Sequence, residues 1–430
     1  MKRQKKNKNI VIKTLGCKLN FSESATMERL LAEEGYTVLS KDDNVDVFVI
    51  NSCAVTENAE KKCRQYIHQI KKNHPQAKIV LVGCFSALEN VKPIENEVDF
   101  LLGSSDKMNV VHAINRLLYN DNSVDETKND DTFFSSYSIH ERTRSFLKIQ
   151  DGCDYFCTYC TVGYARGKSR SDSIENVVEN VRKIVENGVK EIVLTGVNIG
   201  DFKTKKGEDF FDLLQELTKV ENLKRLRISS IEPNLLTKEI IDFVADSDIV
   251  LPHFHLPLQS GCNDILFKMK RRYSRELFAD TIHSIKEKMP YACIAADVIA
   301  GFPGETEEQF MDTCHFIESL PLSMLHVFPY SKRPNTPAAN LPNQLTNSCK
   351  NERTNRLIVL SDEKKRVFYQ ENNNKIFHAL IESKNENGFL QGFTENYIRI
   401  KLPYDKKYIN EIVTVKLLAV DEKGVYEVED

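Results

Sequence analysis

Between residues 9 and 118, short apolar runs rich in β-branched residues alternate with stretches whose apolar positions recur every three or four residues. NIVIKTLG, DVFVINS, KIVLVG and VDFLLG read as strands, with a helix near Ser22 to Glu34, another after DVFVINS and a last one after VDFLLG. Strands joined by helical connections cannot turn back as hairpins, so the pattern predicts a parallel sheet flanked by helices. Residues 120–136, NDNSVDETKNDDTFFSS, are aperiodic and mostly acidic and read as a linker.

From about residue 144 the alternation resumes as SFLKIQ, EIVLT, RLRIS, HFHLP, CIAADVI and MLHVFPY, with long helical connections between them. One helix is well marked: Asp172-Ser173-Ile174-Glu175 has the form of a capping box, Ile174, Val177, Val178, Val181, Ile184 and Val185 make one apolar stripe, and Gly188 ends it. Six βα units suggest a partial TIM-like barrel with its site at the C-terminal ends of the strands, with an open doubly wound sheet as the competing topology. After about residue 367 the period changes to two. KIFHALIES, GFLQG, NYIRIKL, EIVTVKLLAV and GVYEVE predict a small antiparallel β-barrel of OB-like type, a shape often used to hold single-stranded nucleic acid. The expected organisation is α/β: an N-terminal parallel-sheet domain at 1–119, a linker at 120–138, a (βα)6 barrel at 139–366 and the β module at 367–430.

Composition narrows the chemistry. No run of about 18 uncharged apolar residues appears, and the basic start MKRQKKNKNI lacks the apolar segment of a signal peptide, so a cytoplasmic protein with no membrane partner is expected. A net charge of −3 gives no global attraction to nucleic acid, which leaves RNA contact to local patches such as Lys61-Lys62-Cys63-Arg64 or Lys268 to Arg272. The 11 cysteines are unevenly spaced, and in a reducing compartment they point to metal or redox chemistry rather than disulfides.

Cys153-x-x-x-Cys157-x-x-Cys160 follows the first barrel strand. Three thiolates that close can hold three irons of a 4Fe-4S cluster and leave the fourth open to an outside ligand. Tyr155, Phe156 and Tyr159 between them would shield the cluster from water. Cys17, Cys53 and Cys84 each stand just past the end of a predicted strand of one parallel sheet, so they converge on one crevice and could hold a second cluster. Cys63, Cys262, Cys293, Cys314 and Cys349 show no grouping and read as non-ligands. A protein whose six thiolates bind two zinc ions and which only binds RNA is the competing reading from another class.

Polar and glycine residues cluster at the remaining strand ends: Gly196 and Asn198 in TGVN, Ser229 and Glu232 in SSIEP, Gln259 in HLPLQSG, Asp297, and Gly301 in GFPGET. With Tyr159 they are the candidate contacts to a bound cofactor, since glycines let backbone approach closely and Asn, Ser, Glu and Gln bond amino, carboxylate and hydroxyl groups.

These motifs together resemble the radical-SAM methylthiotransferases over nearly the whole chain. The resemblance implies that Cys17, Cys53 and Cys84 bind an auxiliary 4Fe-4S cluster and Cys153, Cys157 and Cys160 the cluster that binds S-adenosylmethionine. It also implies that the β module is an RNA-binding TRAM domain. Arg166-Gly167 with Arg170-Ser171, HLPLQSG and GFPGET match family motifs; Gly163, where a proline is common, departs from them. Thr14-Leu15-Gly16-Cys17-Lys18-Leu19-Asn20, Gly261-Cys262, Tyr330-Ser331, Arg333 and Thr336-Pro337 are similar to the branch acting on N6-threonylcarbamoyladenosine in tRNA. Other branches act on isopentenyladenosine or on an aspartate of a ribosomal protein. The implied partners are a tRNA anticodon stem-loop and an electron donor, with the sulfur source open. One S-adenosylmethionine would supply the methyl group, and a second would be cleaved to a 5′-deoxyadenosyl radical able to attack the unactivated C2–H of adenine.

Overall fold

The computed structural model describes residues 8–54, 56–121, 133–139, 143–421 and 425–429. The N-terminal part is a five-stranded, all-parallel sheet of β1 (Asn9–Thr14), β2 (Thr37–Leu39), β3 (Val47–Ser52), β4 (Lys78–Gly83) and β5 (Phe100–Leu102), in the order β2-β1-β3-β4-β5. Every residue of central β3 is buried, as its unbroken apolar run requires. Helices α1 (Lys18–Glu33), α2 (Glu57–Asn73) and α3 (Val110–Tyr119) pack on the sheet. Two details differ from the sequence expectation. The first helix starts four residues before Ser22, directly after Cys17, and Thr37–Leu39 adds an edge strand too short to give a period.

Of the expected linker, 122–132 lie outside the described residues, whereas β6 (Ser136–Tyr137) pairs antiparallel with β7 (Arg144–Lys148) and so belongs to the next sheet. A small ladder of β8 (Gln150–Asp151) and β9 (Arg170–Ser171) follows. Helices α4 (Val162–Arg166) and α5 (Ile174–Glu186) flank that ladder's second strand in sequence. The N-cap of α5 is Ser173, which accepts from Asn176 N at 3.2 Å, one residue later than the capping-box spacing suggested.

Strands β10 (Glu191–Thr195) and β11 (Arg225–Ile228) continue from β7 as one parallel sheet, and β12 (His253–Gln259), β13 (Cys293–Ala300) and β14 (Met324–Pro329) form another. Parallel bridges Leu226–Val250 and Ser230–His255 join the two. The main strands therefore lie side by side in chain order. A doubly wound sheet would reverse that order, so the fold is the partial barrel. Its core runs continuously from Leu147 through Leu256 to Leu360.

The helix Asn347–Gln370 crosses the expected boundary at 367, and the β module proper is a closed barrel of β15 (Ile376–Ile381), β16 (Phe389–Thr394), β17 (Arg399–Pro403), β18 (Ile412–Val420) and β19 (Tyr426–Glu429). Its β16–β17 turn plugs the N-terminal mouth of the large barrel. There Arg227 donates to Thr394 O at 3.4 Å and Glu395 O at 3.1 Å, and Arg225 donates to Phe393 O at 3.3 Å. Tyr397 lies 4.4 Å from the His253 ring and 4.8 Å under the Arg227 guanidinium. Glu191, held down to about 2 by Arg227 and Arg225 despite its burial, neutralises part of that charge. The module thus sits about one strand length, roughly 20 Å at about 3.3 Å per residue, from the strand ends that carry Cys153. No helix among the described residues is long and apolar enough to cross a membrane.

Tyr397→Ala removes a ring packed between two arginines and a histidine, and a truncation of that size costs about 3 kcal/mol. Thermal unfolding of the variant should begin several degrees below the parent. An unchanged transition would show that the turn is not a packed element of the fold.

Candidate active site

Each N-terminal cysteine is presented by the end of a strand, and two glycines let the ends crowd together. Gly16 has φ +151°, and a Cβ there would meet Cys53 Cβ at 3.1 Å. Gly83, with φ +113°, would strike Ser52 O at 2.5 Å, and beyond it Cys84 N donates to Ser52 O at 3.2 Å. Beneath the cysteines, buried amides tie the strands: Asn20 Nδ2 donates to Asn51 Oδ1 at 3.1 Å and Ser52 O at 3.0 Å, and Asn51 Nδ2 donates to Asn20 O at 2.9 Å. Cys17 is exposed and is itself the N-cap of α1. Cys53 and Cys84 are buried.

The second set lies on the loop after β8. Its sulfurs are met by N–H groups, Tyr155 N to Cys153 Sγ at 3.4 Å and Val162 N to Cys160 Sγ at 3.4 Å, while Arg271 Nη1 donates to Cys157 Sγ at 3.0 Å. Burial pushes the thiol of Cys153 up to about 11 and that of Cys160 up to about 12, so the bare thiols are neutral at pH 7 and ionise as metal binds.

The two sets face each other. Thr161 Oγ1, one residue past Cys160, donates to Ala54 O at 3.3 Å, one residue past Cys53. Arg166, at the end of α4, sends Nε to Cys84 Sγ at 3.2 Å, Nη1 to Asp151 Oδ1 at 2.8 Å and Glu23 Oε1 at 3.0 Å, and Nη2 to Glu23 Oε2 at 3.2 Å. Lys148 reaches Asp151 at 3.2 Å and Glu23 at 3.5 Å, and Lys107 pairs with Glu23. Three buried cations thus face two buried carboxylates beside Cys84. That surplus of positive charge suits a group held by thiolates.

The other predicted contacts divide. Gln150 Oε1 accepts from Val197 N at 2.9 Å and Asn198 N at 2.8 Å, and a Cβ at Gly196 would meet that same oxygen at 2.9 Å. Asn198 is buried, and among the described residues neither its Oδ1 nor its Nδ2 has a hydrogen-bond partner. Such an orphan at a strand end fits the polar groups of S-adenosylmethionine. Glu232 pairs with Arg271, which also donates to Tyr159 Oη at 3.4 Å, so Glu232 and Tyr159 surround Cys157. Ser229 and Gln259 are buried at their strand ends. Asp297 accepts from or bonds His255 Nε2 at 2.7 Å and groups with His326 in the barrel lumen.

Gly301 N–H donates to Glu305 Oε2 at 2.9 Å, a Cβ at Gly301 would meet Lys350 Cγ at 2.5 Å, and Glu305 is fixed by Arg353 Nη1 at 2.7 Å, so GFPGET shapes the turn into the helix capped by Thr306, while its Phe302 packs in one apolar cluster with Tyr159. The expected shielding is also partial: Tyr155 is buried and Tyr159 half-buried, but Phe156 is 46% exposed. Gly163 is helical, and a Cβ there would meet Cys153 O and the Phe156 ring at 3.2 Å. Gln150 and Asn51 went unnoticed in the sequence because no spacing ties them to the cysteines, and Arg271, read there as part of a basic surface patch, is turned inward onto Cys157 and Glu232. Tyr330-Ser331 and Arg333 lead onto the N-terminal part, where Ser331 Oγ accepts from Glu57 N at 3.2 Å and Arg333 pairs with Glu60.

Comparison with known proteins places this geometry. Residues 147–317 match the Radical SAM superfamily and residues 9–103 the Uncharacterized protein family UPF0004. The chain is 38% identical to the threonylcarbamoyladenosine tRNA methylthiotransferase MtaB of Bacillus subtilis (strain 168), covering 95% of this chain and 93% of the relative. It is 37% identical to the protein of that name from Aquifex aeolicus (strain VF5), covering 91% and 96%. A tRNA-2-methylthio-N(6)-dimethylallyladenosine synthase of Alkaliphilus oremlandii (strain OhILAs) is 32% identical over 96% of this chain and 91% of the relative. The solved radical S-adenosylmethionine methyltransferase TsrM from Kitasatospora setae shares the fold, with TM-score 0.57 and 15% identity over 77% of each chain.

Glu23 gives the site an acid limit. Its cations hold the carboxyl down to about 2, below its unfolded value near 4.5, so it contributes stability above pH about 4.5 that is lost as pH falls through about 2. Acid unfolding followed by circular dichroism should show that loss in the parent and a flatter pH profile in Glu23→Gln, which starts less stable at pH 7. Equal profiles would mean that Glu23 does not hold the two parts together.

Proposed function

The chain belongs to the radical-SAM methylthiotransferase family, and from that premise we propose that it converts N6-threonylcarbamoyladenosine at position 37 of tRNA to its 2-methylthio derivative. The family's cofactors are S-adenosylmethionine and two 4Fe-4S clusters. In this reading Cys153, Cys157 and Cys160 hold the cluster that binds S-adenosylmethionine, and Cys17, Cys53 and Cys84 hold the auxiliary one. When bound, these groups supply radical cleavage of S-adenosylmethionine and the methylated sulfur that is transferred. The observation that carries the reading is the closeness of the two cysteine sets, linked through Thr161–Ala54 and Arg166–Cys84.

The residues themselves bind and orient. Asn198, with its unused amide, and Gln150, which sets the turn beneath it, prepare a polar berth at the barrel's strand ends. Arg271 steadies Cys157 while holding Glu232 beside it. Lys18 favours the threonylcarbamoyl substrate over a dimethylallyl one. It follows Cys17 and is half-buried; burial lowers its ammonium, and Tyr397, Arg144, Arg227 and Glu191 lie in its electrostatic neighbourhood. Among the described residues no carboxylate lies within ion-pair distance of its ammonium. A threonyl carboxylate would satisfy that charge, and an isoprenoid chain would leave it buried and unpaired. The work is done in the cytosol, where tRNA is found, and an electron donor must reach the cleft.

Two experiments test this. In Cys157→Ala the formation of 5′-deoxyadenosine should stop. A Cys17→Ala, Cys53→Ala, Cys84→Ala triple variant should keep about half the iron and cleave S-adenosylmethionine without making methylthio product, provided circular dichroism shows it folded. Normal product from the triple variant would make those three structural cysteines.

Mass spectrometry of tRNA nucleosides from a deletion strain should show loss of the 2-methylthio-threonylcarbamoyl nucleoside, restored by the wild-type chain and at least 10-fold less by Lys18→Met. Loss of a methylthio-dimethylallyl nucleoside instead would assign the other tRNA substrate. Unaltered tRNA with a changed ribosomal-peptide mass would assign the protein aspartate.

A further inference from the structure

The loop that carries Cys153, Cys157 and Cys160 is edged by a surface the reaction itself does not use. Phe156 is 46% exposed, Tyr164 51% and Phe267 84%, the last an extreme value for a phenylalanine. Phe156 and Tyr164 meet edge-on at 5.7 Å. Phe156 also has φ +48°, a left-handed conformation that a bulky residue adopts only where its surroundings impose it. That backbone turns the ring away from the thiolates between which it sits.

Phe267 belongs to the same surface because its segment is stitched to the cysteine loop. Thr158 N donates to Met269 O at 3.1 Å and Thr158 Oγ1 to Lys268 O at 2.9 Å. Arg272 Nη2 donates to Asp154 O at 2.9 Å, and its guanidinium lies 3.9 Å from the Tyr155 ring. Around the rings stand exposed Lys168, Lys268, Lys270 and Arg272, against two exposed acids, Asp154, whose Oδ1 accepts from Ser169 N, and Asp264, one helical turn before Phe267. In a chain of net charge −3 this is a local reversal of sign.

We propose that this rim, Phe156, Tyr164 and Phe267 with Lys168, Lys268 and Lys270, is a stacking surface for the unpaired nucleotides that flank the target base of the RNA. The inference rests on the tRNA reading above. Exposed rings offer a face to any base, and the lysines meet the phosphates between bases. The target nucleotide must leave its stack to enter the cleft, and its neighbours then lose a stacking partner that the rim replaces. The β module grips from the far end of the barrel, so the rim is the contact that lies beside the thiolates.

The test uses the full chain with both clusters and an anticodon stem-loop RNA carrying threonylcarbamoyladenosine. Phe267→Ala should raise Kd about 10-fold, a typical loss for one base–aromatic stack. Lys268→Gln with Lys270→Gln should reduce the slope of log K against log salt by about 1.4. A perfect RNA duplex without a loop should bind the parent and Phe267→Ala equally. Dithionite-driven cleavage of S-adenosylmethionine reports that Phe267→Ala is intact. If the parent does not bind the stem-loop, the tRNA reading fails and the rim with it. If the parent binds and Phe267→Ala binds as well, only the rim is wrong. Unchanged RNA affinity with slower cleavage from a protein reductant than from dithionite would assign the surface to the electron donor instead.

Discussion

A buried carboxylate must be paired, and Glu23 is the one on which the arrangement of this enzyme depends. Arg166 bridges Glu23 and Asp151, so that a helix of the N-terminal sheet and a strand of the barrel share one buried set of charges. Pulling the two parts apart would strand ions inside protein, which costs several kcal/mol for each unpaired partner. Such a network contributes less to stability than its Coulomb attraction suggests. Its contribution is geometric, because the charges are satisfied in one placement of the parts, and that placement brings Cys84 and the residue after Cys53 against the loop and helix that follow Cys160. The same guanidinium reaches Cys84, so the group that locks the interface also lies against the proposed cluster.

A second charged layer works at the other end of the barrel. Glu191 begins β10 and Arg225 begins β11, and Arg225 and Arg227 donate to backbone carbonyls of the β-module turn, where Tyr397 packs on Arg227. Parallel strands give the barrel a polarity, with loops that carry chemistry at one mouth and strand starts at the other. The plug makes use of it: the open mouth keeps the cysteines and the orphaned Asn198, and the closed mouth anchors the module. An RNA stem-loop is long enough to touch both ends, which a small-molecule substrate is not.

The strand-end motifs of the barrel look equivalent along the chain and are not so in space. Among the described residues TGVN leaves the buried Asn198 amide without a hydrogen-bond partner, whereas GFPGET closes on its own Glu305, which Arg353 holds, and caps a helix. Both have the glycine and polar composition of a cofactor contact. Whether their donors remain free depends on Arg353, which lies 48 residues further on and which no local pattern connects to the turn.

The sequence by itself determined the elements and the chemistry they carry. Period-two and helical patterns placed the strands, and strand ends placed Cys17, Cys53 and Cys84, because side-chain periodicity and βα connectivity are local properties of a chain. Local pattern stops at one residue's own neighbours along the chain. Which side of the barrel the β module closes, that Phe156 turns outward while Tyr155 turns in, and that Arg166 joins Glu23 to Cys84 were decided by tertiary structure alone. Each depends on burial and on pairing between residues more than eighty positions apart or on a backbone angle imposed from outside, and those forces exist only once the chain is packed.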